Sequence, residues 1–191
     1  MDFVHARNID LAVRLRQSQH SIHSTAVDLQ VTNYPALLQE VARLLRPGGL
    51  FFSGEIGRYL DVAHNFPSDP AHLAPRAWRF YDAVHHSLAL RHLNLIADRI
   101  PLSIQHSQQF TVPIIQTFHI PVGDWHRDNI MRRIGKKYLA ALKVFAENLR
   151  PMLRETMSQH DVDALVAGFI DDIENVRGLV GVYHTVWARK L

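Results

Sequence analysis

The chain has 191 residues, of which 47% are hydrophobic and 20% are charged, with a formal net charge of +3. This composition is that of an ordinary globular protein with a core, and so small a charge does not itself indicate a nucleic-acid partner. The absence of cysteine excludes a disulfide framework and a thiolate metal site. No run of about 18 apolar residues predicts a membrane-spanning helix, and residues 1–10 lack the apolar core of a signal peptide. We therefore expect an intracellular protein, cytoplasmic or nuclear, with no membrane partner.

The first predicted element is a short strand at residues 3–6. The next element, a helix, is predicted to begin near Tyr34, so the connection is far longer than the usual about 2–6 residues of an α/β unit. Residues 10–31 within it are rich in Gln, Ser and His and have mixed periodicity. We interpret residues 10–31 as an insertion, either a surface segment with a weak helix or a translated intron whose flanks would join directly without it.

Residues 32–56 predict a helix, a sharp stop and a buried strand. An apolar stripe at helical spacing is formed by Leu37, Leu38, Val41, Leu44 and Leu45. Thr32 and Asn33 offer capping oxygens at the start of the helix. The residues 47–49, Pro-Gly-Gly, end the helix, and the apolar run after them predicts a strand at 50–55 that is covered on both faces.

The rest of the chain predicts helices and strands in alternation, without an internal repeat or a linker. Helices are expected from Pro75 to about Leu93, from Asn129 to about Leu149 and over 162–173, and strands at 114–120 and 180–188. Ser158 and Asp161 resemble a capping box before the last helix. One domain over residues 1–191 is the simplest organisation.

The helix–turn–strand block resembles the corresponding block of class I S-adenosylmethionine-dependent methyltransferases. The matching positions are Leu38, Glu40, Arg43, Leu45, Arg46, Pro47, Gly48, Gly49 and Glu55. Residues 2–8 resemble the family's strand just before this block. Residues 120–125 and 186–190 resemble fungal members of the type linked to the regulation of secondary metabolism. The resemblance covers most of the chain outside residues 10–31.

The resemblance implies an α/β fold, an incomplete Rossmann-like methyltransferase sheet of about four strands flanked by helices. The first two strands would be parallel, and the last would be antiparallel. In the family, the glycine-rich cofactor loop and the acidic residue that holds the ribose lie upstream of the strand that residues 3–6 resemble. No G-x-G occurs in this sequence. We therefore expect the C-terminal part of a truncated methyltransferase-like domain that lacks its cofactor-loop half.

The implied function is S-adenosylmethionine-dependent methyl transfer to an unknown, small-molecule acceptor. The alternative is a catalytically inactive, truncated methyltransferase-like protein that acts as an interaction module. S-adenosyl-L-methionine is the implied cofactor, although weak binding is expected from this chain alone. The first strand would lack a neighbour, so self-association through its exposed sheet edge is a further expectation.

Candidate cofactor-binding residues are His5, Ala6 and Arg7, at the end of the first strand. Ligands of open α/β sheets lie beyond the carboxyl ends of the strands, and these residues match the family there. The alternative interpretation is a capped strand end without a ligand. The catalytic residue is not identified by any motif.

Candidate substrate-binding residues are Glu55, Trp78, Tyr81 and Trp125. Glu55 is expected at the end of the second strand, where it would face the substrate, orient a donor or be a solvated carboxylate. Trp78 and Tyr81, at helical spacing, would wall an aromatic pocket or pack in the core. Trp125 would fold over the mouth of that pocket or pack beneath its own loop.

Metal and nucleic-acid sites are not predicted. The histidines form no H-E-x-x-H or comparable motif, so no metal ligands are assigned. The basic residues of 132–137 lack interleaved aromatic residues, so a solvated helix face is favoured over a nucleic-acid surface.

Overall fold

The computed structural model describes residues 1–7, 34–64, 66, 69–93 and 97–191. The chain divides into two compact units. Unit 1 consists of Met1–Ile56, His92–Thr117 and Tyr183–Leu191, and unit 2 consists of Gly57–Arg91 and Phe118–Val182. Residues 10–31, Thr32 and Asn33 lie outside the described residues, so the insertion, the helix cap and the single-domain organisation stay predictions.

The described elements alternate between strands and helices. The strands are β1 (Phe3–Arg7), β2 (Leu50–Val62), β3 (Ile114–Pro121) and β4 (Leu179–Arg189). The helices are α1 (Tyr34–Leu44), α2 (Pro70–Leu73), α3 (Pro75–Leu90), α4 (Ile100–Ser107), α5 (Asn129–Leu153) and α6 (Gln159–Asn175), with a 3-10 turn at Ala97–Arg99. The α/β class is thereby confirmed. Among the described residues, no helix has the length and apolar character needed to cross a bilayer.

The four strands form one sheet in the order β1-β2-β4-β3. β1 pairs with β2 in parallel, with Phe3 opposite Leu50 at one end and Arg7 opposite Gly54 at the other. The first two strands are therefore parallel, as predicted. This places the carboxyl end of β1 beside the middle of β2.

The last strand, β4, runs antiparallel to both of its neighbours. Beyond the ends of β2, the Lys190 amide donates to the Gly49 carbonyl and the Ala63 amide donates to the Gly178 carbonyl, so the two strands run in opposite directions. On the other side, the Thr111 amide donates to the Arg189 carbonyl and the Val122 amide donates to the Leu179 carbonyl, so β3 and β4 also run in opposite directions. A mixed sheet with an antiparallel last strand, flanked by helices, fits a partial Rossmann-like arrangement.

The second strand is longer than predicted, and this corrects the placement of Glu55. The strand was predicted over 50–55, but β2 continues to Val62. Gly54 within this strand leaves room for Tyr183, because a Cβ there would overlap the hydroxyl of Tyr183. Glu55 therefore lies within β2, and it is 1% exposed rather than solvated.

Helix α1 provides much of the core of unit 1. Leu38, Val41 and Leu45 are buried, which confirms the predicted apolar stripe over most of its length. Leu44, also assigned to the stripe, is instead 41% exposed. The hydrophobic cluster of this unit comprises Tyr34, Leu38, Val41, Ala42, Leu45, Phe51, Ile100, Ile104, Phe110, Val186 and Ala188.

Unit 2 packs helices α3, α5 and α6 together, with the rings of Phe80 and Phe169 stacked at 4.2 Å. The residue before α3, Ala74, has no side-chain oxygen to cap the helix. Asp172 of α6 does so instead, because its Oδ2 accepts from the backbone amides of Arg76 at 2.8 Å and Ala77 at 2.9 Å. The acidic side chain thus joins two helices that are distant in sequence.

The predicted cap of α6 is confirmed. The Ser158 hydroxyl accepts a hydrogen bond from the Asp161 amide at 3.2 Å, which satisfies one of the free amides of the first turn.

Candidate functional site

One face of the sheet in unit 1 carries a row of aromatic rings contributed by β1, β2 and β4. His5 lies opposite Phe52 in the parallel register, and their rings meet edge to face at 5.1 Å. Phe52 in turn stacks against Trp187 at 6.4 Å. His5 is exposed, and Phe52 and Trp187 are half-buried, so this row (His5, Phe52 and Trp187) presents part of its ring surface to solvent.

The opposite face of the same strands is buried. Ala6 packs against the hydrophobic cluster of unit 1. Ser53 and Glu55 are each 1% exposed, and the Ser53 hydroxyl lies 3.5 Å from Oε1 of Glu55. His5 and Ala6 therefore lie on opposite faces of β1, and Arg7 is its last residue. The proposed roles of His5, Ala6 and Arg7 with a cofactor, and of Glu55 with a substrate, stay predictions.

The Pro-Gly-Gly turn at residues 47–49 is held by the end of the chain. The Gly48 amide donates to the Lys190 carbonyl at 2.9 Å, and the Lys190 amide donates to Gly49 at 2.9 Å. The side chains add further bonds, from Arg189 Nη1 to the Gly48 carbonyl at 2.9 Å and from Lys190 Nζ to the Leu45 carbonyl at 2.7 Å. Two of the segments that carry the resemblance, the turn at 47–49 and residues 186–190, are thus bonded directly to each other.

Unit 2 contains a second aromatic cluster, formed where β2 faces α3. Tyr59 stacks on Trp78 with ring centres 4.1 Å apart, and its hydroxyl donates to Oδ1 of Asp82 at 2.8 Å. The ring of His85 meets Tyr59 edge to face at 4.7 Å. Residues 78, 82 and 85 share one side of α3 because they are three or four positions apart.

Beside this cluster lies a small apolar recess. Its lining residues are Leu60, Pro70, Ala74, Ala77, Trp78, Tyr81 and Leu179. The recess has a volume of about 10 Å³, which is room for roughly one water molecule. Tyr81 is 7% exposed and packs as a core residue. Trp78 and Tyr81 are therefore brought together as predicted, but around a space far smaller than a methyl acceptor, and their substrate role stays a prediction.

Trp125 packs within unit 2 and does not line the recess. Its ring meets Phe66 at 5.5 Å, and its Nε1 donates to the carbonyl of Leu179 at 3.2 Å. Trp125 thus contacts Leu179, which is one of the lining residues of the recess, and its substrate role also stays a prediction.

Burial sets the protonation of the cluster in unit 2. Burial raises the pKa of Tyr59, and its bond to Asp82 raises that pKa further. Burial also raises the pKa of Tyr81 well above its usual range. Burial lowers the pKa of His85, as does the nearby Arg58 charge. Both tyrosines are therefore protonated at neutral pH, and His85 is neutral.

The lowered pKa of His85 predicts that the stability of the protein depends on pH. The unfolded chain binds a proton at His85 near its ordinary pKa of about 6.5, whereas the folded chain binds it only at lower pH. The contribution of neutral His85 to the free energy of unfolding is therefore complete above about pH 6.5. It is lost as the pH falls toward the pKa that His85 has in the folded chain. His85→Phe keeps the ring and removes the titration, so its melting temperature should fall less between about pH 7.5 and about pH 5.5 than that of the native chain.

His86→Phe is the matched control for this experiment, because His86 is the exposed neighbour on the same helix. It should retain the native pH dependence. Equal pH dependence in His85→Phe and the native chain would contradict the prediction.

Several residues of these two clusters were not identified from the sequence. Tyr59 was missed because β2 was expected to end before it. Asp82 and His85 follow Trp78 at helical spacing, and that spacing was the signal available for them. Phe52 and Trp187 were interpreted only as strand residues, because nothing local shows that two distant strands become neighbours.

The chain matches no protein-family model and no curated protein. Solved structures similar to it include two of phosphoethanolamine N-methyltransferase 2 from Haemonchus contortus. One holds phosphomonomethylethanolamine and S-adenosylhomocysteine, at 15% identity and a TM-score of 0.40, and the other holds S-adenosyl-L-methionine, at 14% and 0.40. A protein assigned as a sarcosine dimethylglycine methyltransferase from Galdieria sulphuraria is similar at 13% identity and a TM-score of 0.34.

Each match covers 99% of this chain, but the chain spans only 33% of the Haemonchus contortus proteins and 53% of the Galdieria sulphuraria protein. These neighbours are methyltransferases of larger size. At such identities and TM-scores, the likeness carries no argument about the activity of this chain.

Proposed function

We propose that this chain is part of an S-adenosylmethionine-dependent methyltransferase, of the fungal secondary-metabolism type, that acts on a small-molecule acceptor. The observation that supports the proposal is the direct bonding of Arg189 and Lys190 to the turn at 47–49. Both segments carry the sequence resemblance although they are far apart in the chain. Because they bind each other, one structural feature accounts for the resemblance of both. The parallel β1–β2 pair and the antiparallel β4 agree with the implied fold.

The described residues fit one side of a cofactor site. His5 is exposed beside Phe52 and offers ring surface, whereas Ala6 packs into the core and offers only its backbone. When bound, S-adenosylmethionine supplies an electrophilic methyl group, and the contribution of this chain is to position it by contact with β1. Because the sequence has no glycine-rich loop, the chain alone encloses little of such a ligand.

This proposal predicts weak but localised cofactor binding. We expect a dissociation constant of about 1 mM or weaker, since each lost 1.4 kcal/mol of contact energy weakens binding about tenfold. The measurement is a titration of the isotope-labelled chain with S-adenosylmethionine, followed by amide chemical shifts in NMR spectra. Saturable shifts should concentrate at residues 5–7 and 52–54.

His5→Ala should weaken these shifts, and His72→Ala, which changes an exposed histidine of α2, should not. Shifts that are absent or spread evenly over the chain would contradict cofactor contact at β1. Micromolar affinity would support the methyltransferase proposal but overturn the expectation that this chain supplies only one side of the site.

A second candidate function is an inactive, methyltransferase-like interaction module. The observation that supports it is that the recess lined by Trp78 and Tyr81, as far as the described residues form it, has room for about one water molecule. Absence of cofactor binding in the same titration would support this second candidate.

A further inference from the structure

Strand β3 lies at the end of the sheet opposite to β1 and is exposed along most of its length. Every residue from 114 to 119 is exposed, and the apolar side chains among them are large. Ile114 is 55% exposed, Ile115 is 54% exposed and Phe118 is 43% exposed. Side chains of successive residues point to opposite faces, so β3 shows apolar surface on both faces.

The segment that forms this edge carries no acidic residue, lysine or arginine of its own. The sequence contains no Asp, Glu, Lys or Arg from residue 108 to residue 123. Edge strands are usually protected from pairing by charges, proline, bulges or covering segments. Here proline occurs only at the two ends, as Pro113 and Pro121, and leaves seven residues between them free to pair.

The backbone of β3 is oriented for pairing on its outer side. The carbonyl of Gln116 accepts from the Thr185 hydroxyl of β4 at 3.1 Å, so it points inward. Because backbone groups alternate along a strand, the amides and carbonyls of Ile115 and Thr117 point outward. Within the described part of the chain, no strand lies beyond β3 to bond with them.

We propose that two copies of this chain pair through β3, antiparallel, about a two-fold axis at Gln116. This register is self-complementary, as a symmetric dimer requires. Ile114 then lies opposite Phe118 of the second copy, an aromatic and β-branched pair on one face. Ile115 lies opposite Thr117, and these two residues exchange the outward backbone hydrogen bonds. Gln116 meets its own counterpart, an uncharged amide that bonds well to itself.

A second copy fits this edge better than a charged partner does. An edge without charge repels no copy of itself and offers no complement to an acidic or basic partner. The proposal concerns the β3 edge and is independent of both the methyltransferase proposal and the expected association through β1.

The first test places like charges at the axis. By light scattering after size-exclusion chromatography, the native chain should have twice the 21.9 kDa mass of one chain. Gln116→Lys and Gln116→Glu should each give a single-chain mass, because identical charges would face each other directly. A mixture of the two variants should recover the doubled mass.

Gln105→Lys is the matched control, since Gln105 is an exposed glutamine of α4. It should remain dimeric. A native chain of single-chain mass at high concentration, or an association unchanged by Gln116→Lys, would overturn the proposal. Circular dichroism should show that the exposed substitutions leave the fold intact.

The second test uses the absence of cysteine, so that any disulfide reports the introduced position. Residues directly opposite in a non-hydrogen-bonded antiparallel pair have Cα atoms about 4.5 Å apart, within disulfide range. Gln116→Cys should therefore form a covalent dimer under mild oxidation, and Gln105→Cys should not. Preferential cross-linking of His5→Cys would instead place the contact at β1 and overturn the proposal.

Discussion

Replacement of Asp172 by alanine is expected to lower the free energy of unfolding of unit 2 by about 3 kcal/mol. Asp172 is 2% exposed, and its carboxylate accepts the first backbone amides of α3 from Arg76 and Ala77. Alanine would leave these amides without an acceptor, and the amide of Ala77 is buried. An unsatisfied buried donor costs about 1–3 kcal/mol, and bonds to a charged group are stronger than average.

The measurement is urea denaturation followed by circular dichroism. Asp171→Ala is the matched control, because Asp171 is the adjacent carboxylate, also contacts Arg76, and is half-exposed. Asp171→Ala should lower the free energy of unfolding by only a small fraction of the amount that Asp172→Ala does. Asp172→Asn should be intermediate, since it keeps an acceptor oxygen without the charge. Equal urea midpoints for the two alanine variants would show that the capping role is wrong.

Gly135→Ala is expected to destabilise unit 2 by a similar amount, about 3 kcal/mol. Gly135 lies within α5 where the helix meets the turn after β3. A Cβ at this position would overlap the carbonyl oxygen of Gly123 and lie 3.0 Å from that of Pro121. These are backbone atoms, and the Gly123 amide also donates to the Gly135 carbonyl at 3.1 Å, so the turn cannot move away without breaking that bond.

Gly168→Ala in α6 provides the control for a glycine-to-alanine change within a helix. The nearest atoms to its Cβ would be Cδ of Arg76 at 3.2 Å and Cβ of Arg76 at 3.3 Å, a tight contact that involves no backbone overlap. Alanine gains up to about 1 kcal/mol over glycine in a helix interior, so this variant should be near neutral or slightly more stable. Gly135→Ala should therefore lower the melting temperature clearly, whereas Gly168→Ala should change it little. A neutral Gly135→Ala would show that α5 is not packed closely on that turn.

Local patterns in the sequence were sufficient where one face of an element decides its structure. The stripe of Leu38, Val41 and Leu45 predicted the buried face of α1 correctly, since helical spacing and burial are linked directly. The predicted burial of Leu44 is wrong because a side chain is buried only where another element packs against it. The apolar character of a residue does not show whether such an element is present.

Contacts between distant segments could not be predicted from such patterns. Gly54 leaves room for Tyr183, which is far along the chain, and no pattern near Gly54 indicates this contact. The cap of α3 comes from Asp172, and no local motif at Ala74 indicates it. The same limitation applies to the candidate site. His5 and Ala6 were grouped because both match the family at the end of the first strand, but alternation along β1 turns them to opposite faces.

The division of the chain has a consequence for biosynthesis. Unit 1 includes residues 183–191 together with residues 1–56, and Lys190 bonds to the turn at Gly48 and Gly49. The ribosome makes residues 183–191 last among these. Residues 1–56 therefore remain incompletely folded, with apolar surface of α1 and β2 exposed, until synthesis of the last strand is finished. Exposed apolar surface in such an incompletely folded segment is a target for chaperones. Folding of unit 1 is thus expected to occur only after translation of its final nine residues.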